Sequence, residues 1–433
     1  MKRITQALMV FFCVMAGTPA MAAYAWQDTH VLELRGHQLP MALGVAHGRL
    51  SVLRWEEKSS AFVPVPFQID TYGEADLVWF ASTGLRREAD AELMAHEDML
   101  LMKANDGGGQ APASAQLKEG KLLGEIKLQH KNDTYYFYLA KDSPLRSDKT
   151  YVQHDVDKGI TRTASYALRV DPDNELNWRY LTHKAYEGEG SIIDTLKMRM
   201  SAGFMSRRAR VTLDNNNLRP KVTGVKVGPI RSVMHLETRV VITGISVMKL
   251  QLQALRYPDH YEAHSHAVIP SLYKAMLKQP EVTVTIDGNE QYGAQVQTAQ
   301  GEGLVATVTG EPSEAEATLV EKGLSAENSW ILFDSRKNFS LLAYLDLPEN
   351  LKDTPLGLVF VDDKAAVDTP EQYPGQLPNL GYALKGWPPE KELRFSVKMF
   401  FDEALHTKDV GAYAQHRTQA PKVSVSAWPH DEA

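Results

Sequence analysis

From residue 30 to residue 401 the chain alternates apolar and polar positions with a period of two far more often than with the 3.6 of a helix. HVLELRG (30–36), RLSVLRW (49–55), KLLGEIKLQH (121–130), DTYYFYLA (133–140) and ASYALRVD (164–171) all read as strands. RSVMHLETRVVITGISVMKLQLQALRYP (231–258) reads as two long strands broken near Gly244, since a glycine inside a strand pattern marks a bulge or tight turn. EVTVTIDG, GLVATVTG, SWILFDS, LLAYLDL, LGLVFVDD and LRFSVKMFF continue the pattern, separated by turn chemistry such as Asp287-Gly288 and Asp171-Pro172-Asp173-Asn174. Helical periodicity is confined to three short stretches: 96–104, 191–200, and 269–278 with Pro270 near its start.

The pattern predicts a mainly β protein: a large antiparallel β-sandwich or supersandwich with a β-rich N-terminal section and few short helices. No repeat of 20–50 residues is visible, which disfavours a propeller or solenoid. The charged, polar stretch 141–163 marks a seam. The expected organisation is 1–23 leader, 24–145 N-terminal β-rich section, 146–412 sandwich section, and 413–433 a loosely held tail.

Residues 1–23 depart from this pattern. Lys2 and Arg3 precede an uncharged apolar run from Ala7 to Ala16, and Ala20-Met21-Ala22 offers the small residues a signal peptidase reads. The run is too short to span a bilayer, and no other segment approaches the roughly 20 apolar residues a membrane helix requires. A periplasmic or secreted location follows as the expectation, with cleavage after Ala22 or Ala23. The only cysteine, Cys13, lies in the leader, so a cleaved chain has no disulfide, thiolate nucleophile or thiolate metal ligand. The net charge is −7, and loss of Lys2 and Arg3 takes it to −9, which argues against a nucleic-acid partner.

The densest candidate chemistry is Asp259-His260-Tyr261-Glu262-Ala263-His264-Ser265-His266. On a strand, His260, Glu262, His264 and His266 share a face at intervals of about 7 Å. Such a row can ligate a metal with help from a neighbouring strand, supply acid and base to a substrate, or simply form a polar sheet face. The spacing matches no zinc signature, so the metal and any cofactor are left unspecified. A second row, Arg231, His235, Glu237 and Arg239, falls on one face of the preceding strand pattern. Long planar polar groups on a sheet face suit the hydroxyls of a sugar, and the plain alternative is a solvated face with cross-strand ion pairs. Asp70, Glu74 and Asp76 read as a hydrated acidic loop, and Asp98 and Asp106 flank an apolar run that ends in three glycines.

Gly228-Pro229-Ile230-Arg231, leading into a long strand, resembles the G-P-[VI]-R segment of aldose-mutarotase-like β-supersandwich proteins. VPVPFQID (63–70) followed by EDMLLMKANDGG (97–108) resembles poorly characterised exported bacterial proteins in which a P-x-Q-x-D strand precedes an acidic and apolar stretch. Together these segments span residues 63 to 258. The resemblance implies a two-sheet sandwich whose concave face often holds a carbohydrate. Two functions are therefore carried forward. One is a carbohydrate-binding or carbohydrate-active protein, with His260, Glu262, His264, His235 and Glu237 as catalytic candidates for epimerase- or lyase-like acid/base chemistry. The other is a non-catalytic cell-envelope protein that assists assembly or docks on a protein partner. N-terminal sequencing of the exported protein is expected to begin at Ala23 or Tyr24; retention of Met1 would overturn the export expectation.

Overall fold

The computed structural model describes residues 30–428, apart from 131, 132, 207, 243, 389 and 406–408. Residues 1–23, expected to be a leader, lie outside the described residues. All paired strands are antiparallel, and only three short α-helices occur among the described residues.

Two facing sheets form the sandwich section. The larger has nine strands, in the order Leu218–Val227, Ser232–Ile242, Ile245–Arg256, His260–Val268, Glu392–Asp402, Ser340–Asp346, Ile331–Asp334, Gln295–Thr298 and Ala306–Thr307. The smaller has five: Arg210–Leu213, Ile193–Phe204, Leu277–Gly288, Gln376–Lys385 and Leu356–Asp363. The main core fills the space between them, with Leu236, Leu252, Tyr261, Val397 and Met399 from the large sheet and Leu196, Met198, Tyr382 and Leu384 from the small one. Strand alternation leaves the other face of the large sheet pointing away from this core. A four-stranded sheet, Val152–Asp155 to Asn174–His183, adds Leu168, Val170 and Trp178 to the same core.

The N-terminal section packs a three-stranded sheet (Val31–Arg35, Met99–Lys103, Phe67–Asp70) against a five-stranded one built on Leu50–Glu56, Lys121–His130 and Asp133–Lys141. Its three-stranded sheet lies on the outward face of the nine-stranded sheet. Tyr72, Val78, Met99 and Leu101 meet Ile230, Val233, Leu255 and Tyr257 in a small apolar contact.

Most strand expectations hold, including the break at Gly244, where φ is +85° and a side chain would be strained. Two helical expectations fail. Residues 99–103 and 193–204 are strands, because their apolar residues find partners on both sides in a sheet and tertiary packing overrides weak local periodicity. The third is a helix at Ser271–Met276. Part of the seam is also strand, at Val152–Asp155 and Ile160–Thr163. The tail departs most from expectation. Val410–Thr418 is a helix whose Arg417 is buried against Asp259 and Asp402, at 3.3 and 3.1 Å. Lys422–Ala427 then pairs along Lys121–His130 as an edge strand of the N-terminal sheet. The pairing supplies backbone partners, and Val423 and Val425, alternating within a polar segment, pack against the N-terminal core.

The two sections are joined by a buried polar network. Gln68 Oε1 accepts hydrogen bonds from the backbone N–H groups of Ile230 and Arg231, at 3.2 and 3.1 Å. Arg231 is 1% exposed and ion-pairs with Asp70, which is fully buried and also takes Lys226 at 2.8 Å. Asp70 is therefore an anchor, not part of a hydrated loop. Its carboxyl lies below its ordinary value: burial opposes ionisation, and Arg231 and Lys226 overcome it. Breaking a buried pair strands the partner charge, so Arg231→Leu is expected to cost about 3–5 kcal/mol in urea unfolding. Arg231→Leu combined with Asp70→Leu should cost less than the single change; an equal or larger loss would show that the pair is not what the packing depends on.

Candidate functional site

On the outward face of the large sheet the register is continuous across four strands. His235 sits beside Gln253, Gln253 beside His264, and His264 beside Ser396. Leu255, Glu262 and Lys398 form the next row, and Gln251, His266 and Arg394 the one on the other side. His260, Glu262, His264 and His266 therefore share a face, as the spacing predicts.

Glu262 is the centre of this face. Its Oε2 lies 2.8 Å from His264 Nε2, and its Oε1 lies 3.6 Å from His260 Nε2 and 3.4 Å from Lys398 Nζ. Burial disfavours its charge, but Lys398 and then the two histidines hold the carboxyl well below the usual carboxylate range. Lys398 is raised in return, chiefly by Glu262. His260 is buried, stacks on Tyr257 with ring centroids 4.0 Å apart, and bonds Asp259 Oδ1 through Nδ1 at 2.8 Å. Burial works against a charged ring there, yet hydrogen bonding to Asp259 and Glu262 raises its pKa above the ordinary imidazole value.

These residues form one wall of a polar cavity of about 220 Å³. Glu262, His264, Ser396, Arg394 and Lys398 come from the large sheet; Glu33, Arg35, Tyr72 and Asp76 come from the N-terminal section; Asp346 closes one side. At the back, Tyr257 donates a short hydrogen bond to Glu33, and Arg231 reaches the hydroxyls of Tyr257 and, at 2.9 Å, Tyr72. Burial, opposed in part by Arg231, lifts the Tyr257 phenol well above its ordinary value and pushes Tyr72 up to about 12. Both phenols are thus hydrogen-bond donors rather than bases. Arg35 stacks over Tyr72 at 4.1 Å and pairs with Asp76 at 2.7 Å.

The candidates divide. Glu262 and His264 line the cavity, with His260 directly behind them. His235 and Glu237 do not line it, although they occupy the same sheet face. His235 is fully buried, with Nε2 at 2.7 Å from Gln251 and Nδ1 at 2.9 Å from Gln253, and Phe80 packs near it. Gln253 in turn exchanges two hydrogen bonds with the backbone of Val78. The N-terminal section thus covers this part of the face. Glu237 lies further along its strand and meets Arg239 and Lys249 at 3.7 and 3.4 Å, a surface ion cluster. His266 pairs outward with Glu392 at 2.9 Å.

Among the described residues the histidine row does not bring three ligand atoms together, and the Lys398 ammonium lies 3.4 Å from its one carboxylate. Among the described residues, three such ligand atoms converge only at Asp194, Asp287 and Glu371, far along the sandwich, where the ammonium of Lys197 lies 2.6 Å from Asp287 and 3.0 Å from Glu371. Lys398, Arg394, Glu33 and Arg35 were not singled out from sequence, but a signal exists. Each is a polar residue at alternate positions of an otherwise apolar strand, in LRFSVKMFF and VLELR.

The raised pKa of His260 has a defined consequence for stability. An imidazole held protonated in the native state contributes fully below its unfolded value near 6.5, and that contribution is lost as pH rises through the native value. His260→Gln is therefore expected to destabilise most at about pH 6, with the difference from wild type shrinking as pH rises. Urea unfolding of both proteins across that range checks it; a difference that grows with pH would overturn the assignment.

No family model matches the chain, and no curated protein matches it. Among solved structures it is similar to an alpha-mannosidase from Enterococcus faecalis V583, at 7% identity and a TM-score of 0.48, covering 92% of this chain and 44% of that one. It is also similar to a protein of glycosyl hydrolase family 38 from Enterococcus faecalis, at 8% identity and a TM-score of 0.48, covering 94% of this chain and 46% of that one. A third likeness, to HI1317, has 9% identity and a TM-score of 0.31, covering 60% of this chain and 98% of that one. The chain spans less than half the length of the two enterococcal proteins.

Proposed function

We propose that the polar cavity binds an acidic carbohydrate unit and that the protein is an exported carbohydrate-binding or carbohydrate-active β-sandwich protein. The observation that carries this reading is the convergence of Glu262, His264, Lys398, Arg394 and Glu33 on one cavity of about 220 Å³ between two rigid sheets. Charged planar groups of both signs match vicinal hydroxyls and a carboxylate together, because carboxylates accept from hydroxyls and guanidinium or ammonium groups donate to the acid. The cavity is of a size for one sugar unit rather than a long chain.

The arrangement also divides the chemical roles. Glu262 stays ionised, so it orients His264 rather than taking a proton itself. Lys398 and Arg394 are placed to hold a substrate carboxylate and to stabilise charge that develops on it when the adjacent carbon loses a proton. His264 is the side chain that would move that proton, in epimerisation or in elimination. Tyr257, kept protonated, is a donor at the back wall.

Calorimetry with a panel of uronic acids and their neutral parent sugars tests this reading. Binding of an acidic member is expected, with Lys398→Met weakening it by about tenfold or more, the loss of one charge-assisted hydrogen bond. Glu262→Gln should weaken it as well, because it frees His264 from its orienting partner. Equal affinity for acidic and neutral sugars, or no effect of Lys398→Met, would sink the proposal. The appearance of a new ultraviolet absorbance from a carbon–carbon double bond would distinguish elimination from epimerisation.

A further inference from the structure

The sandwich core is not packed uniformly. Protein interiors normally reach crystal-like density, but at one end of this sandwich the two sheets separate around a cavity of about 390 Å³. It falls in the range of roughly 300–1,000 Å³ typical of small-molecule sites. Its walls are apolar almost throughout. Met198 and Met200 come from the small sheet, Met248 and Leu250 from the large sheet, and Met276 and Trp387 close the end. Four of these six are methionines, whose flexible thioether chains adapt to an irregular or variable apolar occupant.

A second observation lies at the rim. Phe204 and Val211 line the cavity and are 48% and 43% exposed; Met205 and Leu272, beside it in the chain, are 67% and 63% exposed. The backbone N–H of Met205 bonds Met276 O at 2.9 Å, which ties this apolar lip to the short helix across the opening. Cations flank these lining residues along the chain although the whole chain is acidic: Arg208 and Arg210 stand between Phe204 and Val211, and Lys278 follows Leu277. Arg208, Arg210 and Lys278 are exposed, and among the described residues none of them pairs with a carboxylate; Arg210 and Lys278 bond only neutral oxygens. Glu281 is the acidic residue in the lining.

We infer that this cavity is a binding site for a long acyl chain carrying an anionic head, with the chain between the sheets and the head at Arg208, Arg210 and Lys278. An apolar interior offers no partner to a polar ligand, which excludes a sugar there. Cations beside exposed apolar side chains, with no carboxylate partner among the described residues, favour an anionic amphiphile over a neutral hydrocarbon and also suit the surface of an anionic bilayer. A fatty acid and an anionic phospholipid share this chemistry. The inference is independent of the carbohydrate reading, because none of Glu33, Glu262, His264, Arg394 and Lys398 lines the apolar cavity.

A dansyl-labelled fatty acid, titrated into the full mature protein, tests it. One equivalent is expected to bind, to be displaced by palmitate, and to be displaced less well by the fatty alcohol of the same length. Met200→Trp, which fills the cavity, should weaken binding by at least about tenfold. Because that variant can disturb the core, the surface double variant Arg208→Glu with Lys278→Glu is measured beside it. It should weaken binding of the acid by about tenfold and leave binding of the alcohol nearly unchanged. Lys398→Met should leave acyl binding intact, so that failure of the carbohydrate reading is distinguished from failure of this one. Co-sedimentation with phosphatidylglycerol vesicles, lost in Met200→Trp, would identify a membrane lipid as the source. Binding without vesicle capture would identify the free acid. No binding of the probe, or equal binding by wild type and both variants, would overturn the inference.

Discussion

Arg231 is the constraint on which the arrangement of the two sections rests. A guanidinium cannot shed its charge, so burying one obliges the fold to surround it with acceptors. The N-terminal section supplies Asp70 directly, Glu33 at 3.4 Å and the Tyr72 hydroxyl at 2.9 Å, while Gln68 accepts from the backbone N–H groups of Ile230 and Arg231. The preceding turn must come close enough for that contact. A Cβ on Gly228 would fall 2.0 Å from Gln68 Oε1, so a side chain there would push Gln68 out of these hydrogen bonds. Segments 63–70 and 228–231, far apart in sequence, are therefore in physical contact. Docking them places Glu33, Arg35 and Tyr72 opposite the histidine strand and makes the polar cavity.

Within that cavity a single buried carboxylate organises the donors. Glu262 would be costly to bury alone, but Lys398 stands directly across the strand pair, and His260 and His264 sit two residues to either side. The cluster is satisfied by the protein's own cations. The tail contributes from behind, where buried Arg417 pairs with Asp259, which in turn holds His260.

The same strands serve two chemistries because a strand presents opposite faces at successive residues. His264 and Lys398 face the polar cavity, whereas Ala267 and Leu393 face the apolar one. The nine-stranded sheet is thus a partition between a charged space under the N-terminal section and a hydrocarbon-like space inside the sandwich.

Much of this architecture is legible in the sequence, because alternation with period two is a local property that survives folding. It predicts the long strands on either side of Gly244 and the shared face of His260, Glu262, His264 and His266. Where apolar residues must pack on both sides, local pattern misleads: Met99–Lys103 and Ile193–Phe204 carry helix-like spacing yet are strands, because their surroundings and not their periodicity decide. The separation of Glu262 and His264 from His235 was likewise invisible. All three lie on one face of one sheet, and which part stays open depends on where Phe80, Val78 and Gln253 meet, residues about 175 positions apart in sequence. The polar tail reads as loose because its hydrogen bonds are made to Lys121–His130, some 300 residues away. Sequence by itself determined strands, faces and the identity of the charged groups; only the tertiary structure decided which charges are buried together, since burial and pairing are set by distant segments that no local pattern records.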